Sequence, residues 1–172
     1  MLKSSEGFKV VKGKYVNIQV DAIAKYRVSV SENCTHGYHR RTHVHVRERH
    51  ICKWRYKNSY TNTFTLFHEI GHIENNSAGM KRAWQEYHAT TWAIDRMLEY
   101  GLGISDTEVL LYQGYILSEI ARGRRRGGDM TGYEELNLFK YIGIDISLED
   151  AYNECTPEWQ KYIDGYKTHI PF

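Results

Sequence analysis

Around Thr61 the spacing of apolar residues changes period, and this change constrains the possible folds more than any other feature of the chain. Before it, residues 8–20 and 25–30 alternate apolar and polar side chains, the pattern of half-buried strands, with a turn near Gly13. A third run, residues 42–47, puts Val44 and Val46 on one face and His43, His45 and Arg47 on the other. After it, apolar residues recur at helical spacing. The pattern predicts an α+β fold in which an N-terminal antiparallel β-sheet packs on a helical body. A chain of 172 residues suffices for one core, so residues 1–172 are read as a single domain: a β-rich part (1–57), a helix pair (61–104) and a helical C-terminal part (105–172).

The first helix is expected from Thr61 or Asn62 to Asn75, capped by Asn62 or Thr63 and ended by Asn75, Asn76 and Ser77. The second should run from Gly79 to Tyr100 and stop at Gly101. Ser105 and Glu108 have capping-box spacing, which opens a third helix reaching Arg122. Shorter helices are expected at 133–142, 147–154 and 157–166, the last with Thr156 as cap and Pro157 at its first position.

Charge excludes little. Lys plus Arg (23) nearly balance Asp plus Glu (21), so no global attraction to nucleic acid or membrane is expected. The N-terminal residues Met1 to Gly7 lack the apolar run of a signal peptide, and no uninterrupted apolar run reaches the length of a membrane span. Cys34, Cys52 and Cys155 are odd in number and form no CxxC pair, which predicts free thiols, a reducing compartment and a cytoplasmic location.

The chemistry centres on Phe67-His68-Glu69-Ile70-Gly71-His72. Residues four apart share a helix face, so His68 and His72 can reach one ion, while Glu69 is free to take a proton from water. On the helical projection Phe64, Leu66, Phe67, Ile70 and Ile73 fall on one arc and Thr65, His68, Glu69 and His72 on the other. A catalytic zinc needs a third protein ligand and an open position. In the second helix Glu86 falls within the apolar stripe of Ala83, Trp84, Tyr87, Thr90, Ala93, Ile94, Met97 and Leu98, where an unpaired charge is costly. Glu86 is the leading third ligand; His88, on the polar face, is the alternative, as is a purely structural Glu86. Thr90, one turn further on, is placed to hold the second nitrogen of a liganding histidine, with a plain helix filler as the equal alternative.

These residues, with Glu86-Tyr87-His88-Ala89-Thr90-Thr91-Trp92-Ala93, resemble the ImmA/IrrE family of zinc metallopeptidases over residues 62–103. The resemblance implies a minimal zincin-like fold, Zn2+ on His68, His72 and Glu86, and Glu69 as general base. It further implies a protein substrate, a transcriptional repressor or other regulator of a phage, mobile element or host. The chain departs from the family at Thr90, where Asn or Asp is usual, and in lacking a Leu-Met-Pro ending to the second helix and a helix-turn-helix domain.

Other groups carry weaker expectations. Cys34, His36, His39, His50 and Cys52 include enough donors for a second zinc site. Otherwise they belong to a histidine-rich sheet face, or to one bordering the catalytic cleft, whose strand 42–47 could pair with an extended substrate. Arg122, Arg124, Arg125 and Arg126 read as a solvated helix end, with nucleic-acid or acidic-partner contact as the alternative. Tyr87 and His88 are the nearest candidates for an oxyanion donor. Two other functions fit the same residues: a zinc-containing protein that inhibits a partner by occupancy, and a toxin/antitoxin-linked nucleic-acid-binding module.

Overall fold

The structure, a computed structural model, describes residues 12–34, 42–77, 79–125, 140–141, 144–145, 153 and 157–164. Its elements are α1 (Lys14–Lys25), β1 (Ser29–Ser31), β2 (His43–His45), β3 (His50–Cys52), α2 (Tyr60–Glu74), α3 (Arg82–Glu99), α4 (Asp106–Arg125), β4 (Lys140–Tyr141), β5 (Ile144–Asp145) and α5 (Pro157–Asp164). The fold is mixed α/β, a small three-stranded sheet beside helices.

The expected strand over 8–20 is corrected: its described part, from residue 14 onward, is helical. Val16, Ile18 and Val20 do alternate, but the residues that become buried are Val16, Gln19 and Ala22, three apart, and Val20 is half exposed. Gln19 hid this period because it is polar. Its side-chain amide donates to the Lys57 carbonyl at 2.8 Å and to Thr63 Oγ1 at 2.9 Å, tying α1 to α2. Asn58 Oδ1 accepts from the Tyr15 N–H at 3.1 Å and so satisfies one of the orphan donors of the first turn.

The sheet is mixed, not antiparallel, with order β1-β3-β2. β3 runs parallel to β1 (Val30 opposite Ile51) and antiparallel to β2 (Val44 opposite Ile51). Its central strand is only three residues long, too short to show a period, yet Ile51 is fully buried. The free-thiol expectation fails for two of the three cysteines: Cys34 and Cys52 form a disulfide with Cα atoms 5.2 Å apart. An odd count excludes one cysteine from pairing, not all of them. Cys155 lies outside the described residues.

The later elements follow the sequence more closely. The cap of α2 is Ser59, whose Oγ accepts from the Asn62 N–H at 3.2 Å, so the helix starts a residue or two earlier than expected. α3 ends before Gly101, whose φ of +67° suits glycine. In the Ser105 capping box, Glu108 Oε2 accepts from the Ser105 N–H at 2.9 Å and Ser105 Oγ accepts from the Glu108 N–H at 3.3 Å. Leu98, placed in the buried stripe, is exposed. Lys140 and Tyr141, expected in a helix, pair with β5 instead. The remainder of the 133–142 expectation, Thr156, and all of 147–154 except the helical Asn153 lie outside the described residues.

The core joins α2 and α3 through Leu66, Phe67, Ile70, Ala93, Ile94 and Met97, with Ile51 of β3, Trp54 just after that strand and Ile116 of α4 packed around them. At the contact between α2 and α3, a Cβ on Gly71 would lie 2.8 Å from the Ala89 carbonyl oxygen. Glycine is therefore required at this position of the His68–His72 turn. The close approach sets Glu86, on the buried side of α3, against His68 and His72 of α2.

Candidate metal centre

Helix spacing places His68 and His72 one above the other on α2, and the contact at Gly71 sets Glu86 of α3 against them. One ligand atom from each of His68, His72 and Glu86 lies within 4.8 Å of the others. Glu86 Oε2 is 3.0 Å from His68 Nε2, Glu86 Oε1 is 3.6 Å from His72 Nε2, and the two Nε2 atoms are 3.2 Å apart. Glu86 is fully buried and His72 is 4% exposed.

The far side of each ring decides what the near side presents. Ser77 Oγ donates to the His72 carbonyl oxygen at 3.1 Å, so at 3.3 Å it is an acceptor for the His72 Nδ1–H. That tautomer leaves the His72 Nε2 lone pair facing the centre. Thr90 Oγ1 lies 3.3 Å from His68 Nδ1, a contact at the corresponding nitrogen of the other ring. The two imidazole Nε2 atoms and the buried carboxylate form one converging set of donors, and Arg82 Nη2 adds an ion pair with Glu86 Oε1 at 2.6 Å. The donor set fits a metal ion.

The electrostatics agree. Burial alone would raise the Glu86 carboxyl, but its contacts with His68 and His72 hold it well below the usual carboxylate range. Burial lowers His72, opposed by its contact with Glu86, which favours the neutral imidazole a metal needs. Glu69 is pushed up to about 7, chiefly by burial and further by the charge of Glu86, with His68 and Arg82 acting the other way. It lines the same cleft of about 410 Å³ as both histidines and Glu86.

α4 supplies a residue that sequence reasoning missed. Tyr115 donates its hydroxyl to Glu86 Oε2 at 2.6 Å, and its ring centroid lies 6.2 Å from that of His68. Burial, then the neighbouring Glu86, pushes its hydroxyl far above the ordinary tyrosine value. Nothing local marked it among 14 tyrosines; only the packing of α4 on α3 selects it. The expected donors Tyr87 and His88 do not line the cleft. His88 is not brought to the metal ligands either: its ring stacks on Trp84 with centroids 5.6 Å apart, and Tyr87 meets Trp84 edge-on.

Of the proposed second metal site, His36 and His39 lie outside the described residues, and the disulfide removes Cys34 and Cys52 as thiolate donors. His50 is held between Ser29 Oγ (2.7 Å) and Ser31 Oγ (2.9 Å). Thr42, His43, Val44 and Val46 instead form a wall of the cleft. Arg122, expected at a solvated helix end, also lines the cleft and pairs with the buried Glu119. Arg124 and Arg125 end α4, and Arg126 lies outside the described residues.

Among the described residues no helix is long and apolar enough to cross a membrane. Comparison with protein-family models, with curated proteins and with solved structures finds no match to the chain.

Proposed function

We propose that the chain is a zinc-dependent peptidase of the minimal zincin type, akin to the ImmA/IrrE group, with His68, His72 and Glu86 as metal ligands. The observation that carries this reading is the convergence of those three donors beside Glu69 in one cleft. Two imidazoles and one carboxylate suit Zn2+ better than harder cations, and three protein ligands leave a position for solvent. Bound there, the ion supplies Lewis acidity toward water and the scissile carbonyl.

The chain's own residues do the rest. Glu69 accepts a proton from the attacking water and returns it to the leaving amine, a task suited to a carboxylate poised near neutrality. Tyr115 orients Glu86 through its 2.6 Å hydrogen bond. β2, an outer strand of the sheet, borders the cleft and supports a substrate bound in extended form along it. A transcriptional repressor or other regulator is the partner we propose. The engagement of Arg122 with Glu119 draws it away from the nucleic-acid-binding alternative.

Glu69→Gln tests the reading. The variant should hold as much zinc as the wild type and lose hydrolysis by at least about a hundredfold. Zinc retained together with undiminished turnover would refute the role of Glu69, and a wild type that takes up no zinc would refute the site.

A further inference from the structure

Two guanidinium groups enter the metal cleft from different helices, Arg82 from α3 and Arg122 from α4. They meet at Glu119, whose carboxylate is 5% exposed: Oε2 lies 3.7 Å from Arg82 Nε, and Oε1 pairs with Arg122 Nη1. Arg82 Nη2 also lies 2.6 Å from Glu86 Oε1. The side chains of Arg82 and Arg122 remain 57% and 30% exposed, and both line the cleft.

Without an ion these arginines are accounted for as partners of Glu86 and Glu119. A divalent cation changes the balance. Among the described residues that line the cleft, the carboxylates of Glu69, Glu86 and Glu119 then stand against Arg82, Arg122 and two further positive charges, an excess of one positive charge in a partly enclosed site. A neutral peptide does nothing to offset this excess, whereas a carboxylate does, through charge-assisted and bidentate hydrogen bonds.

We propose that Arg82 and Arg122 form a carboxylate-recognising wall, so that the peptide taken carries an acidic group, a side chain or a chain terminus, close to the bond that is cut. This rests on the metal-centre reading above. It assigns Arg82 and Arg122 to specificity and leaves proton transfer to Glu69.

The test uses three zinc-binding hydroxamates, N-hydroxysuccinamoyl conjugates of glutamate amide, of glutamine amide and of glycine with a free carboxylate. Each is titrated calorimetrically into the zinc-loaded protein at low ionic strength. At least one of the two charged probes should bind about tenfold more tightly than the glutamine amide. Whichever charged probe gains more identifies side chain or terminus as the source. The advantage should shrink in Arg82→Gln and in Arg122→Gln, and Arg122→Lys should keep part of it, since lysine retains charge without the planar fork. Equal affinity of charged and neutral probes for zinc-loaded wild type would overturn the proposal. So would an advantage that persists when both arginines are replaced in a variant of wild-type zinc content. Protein that takes up no zinc would sink the metal centre and this inference together; equal binding by loaded protein sinks only this one.

Discussion

Thr90 and Ser77 touch no reacting atom, yet each hydroxyl lies 3.3 Å from the Nδ1 of a candidate ligand. An imidazole with its Nδ1–H engaged is held in orientation and presents Nε2 as a lone pair, so the pair sets the donor geometry before any ion arrives. Thr90→Val keeps the shape and removes the hydroxyl. Zinc affinity, read by competition with a chromophoric chelator, should fall by about 10- to 100-fold, and Thr90→Ser should restore most of it. An unchanged constant for Thr90→Val would reduce Thr90 to a packing residue. The clustered donors His68, His72 and Glu86 were legible in the sequence because their spacing is set by one helix turn and by one carboxylate in an apolar stripe. Tyr115, Glu119 and Arg82 were not, since their roles depend on how α4 lies against α3, which no local pattern encodes.

At the level of elements, the metal centre depends on how closely two helices approach. Gly71 lies between the two histidines, and the atoms nearest an added Cβ are the Ala89 carbonyl oxygen at 2.8 Å and Cα at 2.9 Å, both backbone. Gly71→Ala should therefore push α2 from α3, costing about 1–3 kcal/mol by overpacking, despite alanine's better helix propensity. Thermal melting should show the loss, and zinc affinity should fall with it. Ala89→Gly should not rescue the variant, because the clash involves no side-chain atom; rescue would mean that the helices are held apart by something else. The same dependence on context explains the misread N-terminal segment. Residues 14–20 satisfy an alternating pattern on paper, but it is a helix that turns Gln19 inward beside Val16 and Ala22, where its amide meets the Lys57 carbonyl and the buried Thr63. Helices α2 to α4 were legible because long amphipathic periods and caps carry their own signal. β3 was missed because three residues carry none.

For the molecule as a whole, the wall of the cleft is held by a covalent bond as well as by strand pairing. The Cys34–Cys52 disulfide spans a sequence separation of 18 and encloses all of β2, and Cys52 itself pairs with His43 in the β2–β3 register. The expectation of a reducing compartment rested on free thiols and loses that support here. Closing a loop of this length stabilises the folded chain by about 3 kcal/mol, chiefly by restricting the unfolded state. Cys34→Ala breaks the bond while leaving the buried Cys52 packed in place. Its Tm should drop on the order of 6–12 °C for a chain of this size, and a reductant should lower the wild type by a similar amount. Zinc content should stay at the wild-type level, because all three ligands lie on α2 and α3, outside the loop. Affinity for extended peptide probes should weaken, because β2 loses its anchor. A wild-type Tm unmoved by reductant, with three titratable thiols in the denatured, unreduced protein, would show that the bond is not formed and that strand pairing alone holds the wall.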